Sequence, residues 1–386
     1  MPLAVGLAQV LATCGPAYLA KHHLSAAQAK AWRAIVACRT PALGGHVECC
    51  QRCGAIRHVH HSCRNRHCPQ CQTRAKEAWL AQRRRELLPV PYFHLVFTLP
   101  HALNGLIAVH ARLIYEMLFA AAAGTLTAFA ADQRHLGGEA AFTLVLHTWK
   151  QDLGRHVHVH ALVAGGALAP DGRWVSSNKG FLFPVKALSP VFRGKFVAAL
   201  QAQRAVNALP ALAADASWRQ LLRALFAHDW VVYAKEPLGG PEQVLEYLGR
   251  YTHRVAISNE RIVGLDGRDV LFRVRGDEAG KKRCLRLPGE EFIRRFLQHV
   301  LPTGFKRIRH YGLLAPAHKA QRLAAARTAL KAPQPDPAVI EALADFLHRV
   351  AAFDLAACPH CRVGRMVVIA PLLPRHGGRH KPRGPP

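Results

Sequence analysis

Apolar residues in the first part of the chain recur at the spacing of a helix face, so residues 1–48 read as helices. Ser25 stands as an N-cap before AAQAKAWRAIVA, and Cys38-Arg-Thr-Pro marks a stop. Residues 49–72 lose the period; they are rich in Cys and His and read as irregular. A basic helix follows from Thr73 to Leu88, ended by Pro89 and Pro91. At Tyr92 the period changes. Residues 92–99 read as a strand, 101–131 as an Ala-rich helix, and Ala141–Thr148 and Val157–Val163 as two further strands, the second closed by Gly165-Gly166. Asp171-Gly172 marks a turn, 185–226 look helical, and 230–234 form another strand.

Gly239-Gly240-Pro241 opens a helix, with Pro at the first position and Glu242 in the first turn. Two short strands then flank Asp266-Gly267, a hairpin signal. A basic strand (Lys281–Leu287) and a helix (Pro288–Val300) follow. Lys331–Pro337 reads as a linker, and the stretch after Pro374 as a basic, Gly/Pro-rich unstructured tail. Antiparallel strands with inserted helices predict an α+β fold, not a doubly wound one.

Composition narrows the function. The 386 residues leave room for two or three domains, and 52 Lys+Arg against 24 Asp+Glu give a net charge of +28. Such a field attracts polyanions, nucleic acid first and anionic membrane as the weaker alternative. The shortage of acids argues against chemistry built on many carboxylates. The longest apolar stretch, Met117–Ala131, falls short of the roughly 20 residues a membrane span needs. No basic residue precedes the apolar N-terminus, so it reads as an amphipathic helix of a cytoplasmic protein rather than a signal segment.

Of eleven cysteines, eight fall between Cys14 and Cys71, then come Cys284, Cys358 and Cys361. Clustering in Cys-x2-Cys pairs favours zinc over disulfides. Cys50, Cys53, Cys68 and Cys71, two pairs separated by fourteen residues, predict one structural zinc site of four thiolates. Cys38, His46, Cys63 and His67 offer a second, interleaved site, against the plainer reading of packed thiols and solvent-facing imidazoles. Cys358-Pro-His-Cys361 is half a site with no second pair after it. Arg64, Arg66, Arg74, Lys76, Arg83, Arg84 and Arg85 lie in or directly after this module and predict a grip on DNA phosphates.

On a strand, His156, His158 and His160 project from one face, and two such imidazoles can chelate a divalent ion. His147 becomes a third ligand if its strand pairs with theirs as a hairpin. Tyr247 and Tyr251 stand one helical turn apart, although Val244, Leu248 and Val255 share nearly the same stripe and make core packing the plainer reading. Taken together, a histidine-bound Mg2+ or Mn2+ can polarise a phosphodiester while a tyrosine attacks phosphorus, leaving a 5′-phosphotyrosine and a 3′-OH.

Phe97-Thr-Leu-Pro100, His158-Val-His160 and Tyr247-x3-Tyr251 resemble, in order, the three motifs of the HUH (His-hydrophobe-His) endonucleases of the rolling-circle type. Together with CRTPALGGH (38–46), SCRNRHCPQCQ (62–72), YFHLVFTLP (92–100), HVHALVAGG (158–166), YLGRYTHRVAIS (247–258) and FKRIRHYGLL (305–314), the chain resembles the two-tyrosine insertion-sequence transposases of the IS91 type. The resemblance implies an α+β fold: an HUH antiparallel sheet with flanking helices, preceded by a helical zinc-binding module. It implies His158 and His160 as metal ligands, with His147 as third by analogy to related relaxases. It also implies Tyr247 and Tyr251 as nucleophiles; Arg250 and Arg254 beside them, at a polar and basic helix end, read as DNA-phosphate contacts from the sequence itself. The implied partner is single-stranded DNA at element ends and target. On this reading residues 1–90 are the zinc-binding DNA-binding module, 91–264 the catalytic domain, 265–330 a basic strand and helix region, and 331–386 linker and tail. Arg155-His156-Val157 departs from the more usual His-Pro lead-in, and CPHCRVGRM from the fuller Gly-rich knuckle expected near the end. The competing readings are a carboxylate-dependent transposase, for which acids are lacking, and a non-catalytic zinc-dependent DNA-binding protein.

Overall fold

The computed structural model of the chain describes residues 5–178, 180–235, 243, 245, 249, 256–276, 281–335, 341–351 and 354–375. It is α+β, with antiparallel sheets and flanking helices. The chain divides into two compact units, each assembled from segments distant in sequence. One takes Met1–Ala75, Ile257–Ile293 and Pro337–Pro386; the other takes Lys76–Ala256 and Arg294–Asp336.

In the first unit, α1 (Leu7–Leu19) buries Leu7, Val10, Leu11, Cys14 and Tyr18, a stripe at helical spacing, and α2 (Ala26–Ala37) buries Ala31 and Ile35. Ser25 starts α2 through a capping box: its hydroxyl accepts from the Gln28 N–H, and the Gln28 side chain accepts from the Ser25 N–H at 3.0 Å. Residues 45–48, expected to be helical, and the start of the stretch expected to be irregular instead form a hairpin of β1 (Gly45–Cys50) and β2 (Ile56–His60). In β2 Ile56 and His58 are exposed and the other residues only half-buried, so no apolar run announces it. The segment expected to be linker and tail also holds structure. It contains α9 (Leu343–Ala351) and β12 (Met366–Leu372), and β12 adds antiparallel to β1 to give the order β12-β1-β2.

A second sheet of this unit is the meander β8 (Ile262–Asp266), β9 (Asp269–Arg275) and β10 (Lys282–Pro288), turning at Gly267 as expected. Gly267 has φ 58°, the left-handed conformation such a tight turn requires. Phe272 of β9 meets Phe292 of α7 (Gly289–Leu297) edge to face at 5.4 Å.

The second unit is organised by an antiparallel sheet in the order β11-β4-β5-β3-β7, with β6 (Trp174–Ser176) also paired to β5. The strands are β3 (Tyr92–Thr98), β4 (Glu139–Trp149), β5 (Arg155–Leu168), β7 (Val232–Lys235) and β11 (Ile308–Gly312). Alternation sorts their side chains. Phe93, Leu95, Phe97, Phe142, Leu144, Leu146, Val157, Val159, Ala161 and Val163 all enter the large core beneath α4 (Asn104–Ala131) and α5 (Val185–Ala205). Each fully buried Leu or Phe there contributes about 1.5–3 kcal/mol. On the opposite face Tyr92, Ala141, Leu162 and Ala164 join Leu80 of α3 (Gln72–Glu86) and Leu323 and Ala326 of α8 (Lys319–Ala329) in a second core.

β5 continues past Gly165-Gly166, where the sequence suggested it would close. A Cβ at Gly165 would stand 2.8 Å from the Pro91 carbonyl oxygen, and one at Gly166 would stand 2.5 Å from the Trp174 indole nitrogen. Glycine therefore lets neighbouring backbone close in rather than ending the strand. The expected helix over 185–226 is two, α5 and α6 (Asp215–Phe226), parted near Pro210. The expected helix start at Gly239-Gly240-Pro241 lies outside the described residues. Among the described residues, His101–Ala131 is long and apolar enough to cross a membrane, and half of its most apolar stretch is buried in the protein. Ile114, Leu118, Ala122 and Leu126 of this helix face the core over the sheet.

Candidate metal centre

The short connection between β4 and β5 makes them a hairpin, in whose register His147 faces His158 and Val145 faces His160. His147, His158 and His160 thus share the sheet face opposite α4 and α5. The Nε2 of His160 lies 3.1 Å from the Nε2 of His158 and 3.0 Å from the Nδ1 of His147. All three are buried, at 3%, 9% and 6% exposure for His147, His158 and His160. Neutral imidazoles that turn lone pairs toward one another repel unless a proton or a cation sits among them. Their spacing matches the edge of about 3 Å that an octahedron has with ligands at about 2.1 Å. The donor set fits a divalent ion, with positions left for water or phosphate oxygens.

Burial favours the neutral form of His158 and His160. It pushes His158 down to about 4, helped by the neighbouring charge of His156, and pushes His160 well below the usual histidine range, helped by His147. The ring nitrogens turned away from the centre have partners: His158 Nδ1–H donates to the His156 carbonyl at 3.1 Å, and His160 Nδ1 lies 2.8 Å from His94 Nε2. With the His160 lone pair turned inward on Nε2, its Nδ1–H donates to His94. Sequence reasoning missed His94. It lies on β3, two residues before Val96, which pairs with His160, and that register is not visible in the sequence. His156 stands apart, against His101 at 3.3 Å.

Tyr247, Tyr251, Arg250 and Arg254 lie outside the described residues. Their neighbours are informative: Leu245 belongs to the core on the histidine face, and a Cβ at Gly249 would stand 2.7 Å from the Leu80 side chain of that same core.

The cysteines assemble differently from the grouping expected. Cys68 and Cys71 meet Cys38 and Cys63, whereas Cys50 and Cys53 meet Cys358 and Cys361. The β1–β2 hairpin is the reason. Cys50 and Cys53 occupy its turn, the end where the chain enters β12, while Cys38 and Cys63 flank the opposite end and reach Cys71. The sulfur of Cys71 lies 3.3 Å from Cys38 and 3.6 Å from Cys63. Both spacings are near the edge of about 3.8 Å of a tetrahedron with Zn–S bonds of about 2.3 Å. Hydrogen bonds from the Cys63 and Cys68 thiols hold the Cys38 thiol down at about 7. The imidazoles expected here are engaged elsewhere: His46 binds Glu48 at 3.0 Å, and His67 binds the Asn65 side chain at 3.2 Å.

Of the basic residues, Arg64, Arg74 and Arg84 are exposed, and Arg66 and Arg85 half-buried. Lys76 pairs with Glu77 at 2.9 Å. Arg83, expected on the phosphate-gripping surface, is buried instead; it pairs with Glu86 at 2.8 Å and donates to His310 Nε2 at 2.9 Å. It sits on the side of α3 that packs on the sheet, so its charge is used internally.

Two further histidines of this unit share the behaviour of His158. Burial holds His299 down to about 4, between Thr148 and the Leu153 carbonyl, and holds His310 down to about 4, beside the Arg83 charge. An unfolded histidine takes up its proton near 6.5 and these three only near 4, so the unfolded state binds more protons in between. Stability is therefore full above that window and lost as pH falls through it, at about 1.4 kcal/mol per pH unit for each histidine. The urea midpoint of metal-free protein is expected to fall steeply on acidification through the window. A flat midpoint would mean that the three rings are open to solvent.

Comparison with known proteins gives a consistent picture. A family model described as "Transposase zinc-binding domain" matches residues 10–99, and one described as "Putative transposase" matches residues 141–322. The chain is 44% identical over 375 residues to "Putative transposase y4qJ" of Sinorhizobium fredii, covering 94% of each. It is 29% identical over 311 residues to the transposase for insertion sequence element IS801 of Pseudomonas savastanoi pv. phaseolicola, covering 78% of this chain and 74% of that one. Among solved structures, it is similar at 17% identity and a TM-score of 0.22 to the metal-bound conjugative relaxase TrwC in complex with OriT DNA, over 42% of this chain and 70% of that one.

Proposed function

The chain belongs to the IS91-type transposase family, and on that premise we propose that it nicks and rejoins single-stranded DNA at element ends by a rolling-circle route, through a 5′-phosphotyrosine. The observation that carries the reading is the convergence of His147, His158 and His160 on one sheet face. The phenolic oxygen of Tyr247 or Tyr251 attacks phosphorus and the bond from phosphorus to the 3′ oxygen breaks. The phenol releases its proton, and the departing oxygen takes one up as a 3′-OH. Rejoining runs the same exchange backwards with a new 3′-OH. Mg2+ or Mn2+ held by the three imidazoles would supply polarisation of the scissile phosphate.

The chain's own residues prepare that exchange. Burial favours unprotonated His158 and His160, so their lone pairs stay available. Leu245 and Gly249, which flank Tyr247 in the sequence, lie in or against the core on the histidine face. The surplus of cationic side chains, with Arg64, Arg74 and Arg84 exposed, draws in the strand.

His94 acts as a positioning residue by accepting the His160 Nδ1–H. His94→Ala is expected to lower Mn2+ affinity by about 10–100-fold in a calorimetric titration. His94→Gln, which keeps an acceptor, should retain most of that affinity. Equal affinity in wild type and the alanine variant would remove His94 from the centre.

The test of the function is incubation of purified protein with labelled single-stranded DNA from the element ends, with Mg2+ or Mn2+, on a denaturing protein gel. A metal-dependent band in which label stays with protein is expected. Tight DNA binding without such a band would favour the second reading, a zinc-built DNA-binding protein, for which the thiol clusters alone would suffice.

A further inference from the structure

Four cysteines from opposite ends of the sequence, Cys50, Cys53, Cys358 and Cys361, bring their sulfurs within 4.8 Å of one another. We propose that they form a second structural zinc site, separate from the Cys38–Cys63–Cys68–Cys71 cluster, that fastens the C-terminal segment onto the N-terminal hairpin. The zinc-binding family match ends at residue 99 and so does not reach two of these four ligands.

The geometry is that of two facing knuckles. Cys50 Sγ lies 3.8 Å from Cys361 Sγ, and Cys53 Sγ lies 3.8 Å from Cys358 Sγ. This is the edge of about 3.8 Å expected for four sulfurs at about 2.3 Å from one zinc ion. Directly bonded sulfurs would stand about 2.05 Å apart, so the arrangement is not that of two disulfides. The two Cys-x2-Cys turns also repeat one another in backbone detail. In the first, the Gly54 N–H donates to the Cys50 carbonyl at 3.0 Å with Gly54 at φ 69°. In the second, the Arg362 N–H donates to the Cys358 carbonyl at 2.9 Å with Arg362 at φ 60°. Arg362 holds a left-handed conformation that costs a non-glycine residue about 1 kcal/mol or more, so the turn is imposed by its surroundings.

Backbone donors are aimed at the sulfurs, as thiolates require. The Arg52 N–H points to Cys50 Sγ at 3.4 Å, and the Gly364 N–H to Cys361 Sγ at 3.2 Å. Gly364 is also the only size that fits: a Cβ there would stand 2.4 Å from Cys50 Sγ. Around the sulfurs the chain ends are already joined. Cys50 pairs with Met366 in the β1–β12 ladder, and the Gln51 N–H donates to the Arg365 carbonyl at 3.0 Å. Cys50, Cys358 and Met366 are buried together in a small apolar cluster of their own. Metal entry releases the thiol protons to solvent and leaves the four sulfurs as thiolates, with no oxidant involved.

The test counts metal in the full-length protein, purified under reducing conditions. Two zinc ions per chain are expected in wild type. Cys358→Ser with Cys361→Ser should leave one, and so should Cys68→Ser with Cys71→Ser. Because either pair of changes could disturb folding, wild type is also titrated with Co2+ after metal removal. The thiolate-to-cobalt absorption should rise to saturation at two equivalents. One zinc ion in wild type, lost with Cys68 and Cys71 but kept without Cys358 and Cys361, would overturn the site. So would cobalt saturation at one equivalent, or a mass four hydrogens light that marks two disulfides.

Discussion

Tyr247→Phe combined with Tyr251→Phe is expected to abolish covalent capture of single-stranded DNA, a loss of at least about a thousandfold, while DNA and metal binding persist. The change removes two oxygen atoms and keeps both rings, so it alters side-chain volume very little. Without either phenol, neither proposed nucleophile remains to displace the 3′ oxygen and hold the 5′ end. The single variants should differ from the double one. Each retains one nucleophile and should still capture a strand, but a full exchange in which one end is held while another is cut needs both. The readout is label retained on protein in a denaturing gel, beside a gel-shift and a Mn2+ titration as controls for folding. Capture that survived in the double variant would end the assignment of these tyrosines. Loss of Mn2+ binding alongside capture would show that the phenols support the histidine face instead of attacking DNA.

How much of this was legible in the sequence depended on whether an interaction was local. The alternation of His156, His158 and His160 on β5 needs only the strand period, and the pairing of His147 with His158 follows from a connection too short for anything but a hairpin. His94 was hidden because β3 and β5 are separated by α4 and β4, so their register is set by the packing of Phe93, Leu95 and Phe97 into the core and not by a turn. The cysteines make the same point. Each Cys-x2-Cys unit announces a knuckle, yet nothing in the spacing states which knuckle faces which. The closest two in sequence were grouped together, whereas β12 returns from the far end of the chain to supply the partner. Arg83 shows the limit of reading charge runs, since a burial stripe passes through α3 and only the fold reveals that Leu80 and Arg83 lie on it.

The second large effect is expected at the ligands themselves. His158→Ala with His160→Ala should remove metal-dependent capture by about a thousandfold or more, and no excess of Mn2+ should restore it. His147→Ala, which leaves two imidazoles of the three, should instead raise the Mn2+ concentration required and recover much of its rate when metal is in excess. The difference arises because His160 lies between the other two ligands and also meets His94, so its loss opens the centre on two sides. The acid limb is a further part of the same expectation. Solvent-exposed histidines would be mostly protonated at about pH 5.5 and would release their metal. Burial holds His158 down to about 4, so wild type should still bind Mn2+ there as long as the fold survives. Mn2+ affinity measured across that range, with far-ultraviolet circular dichroism as the check on folding, separates the cases. A loss of affinity centred near 6.5, with the fold intact, would mean that the histidines are open to water and that the convergence at 3.0 Å and 3.1 Å does not describe a metal centre.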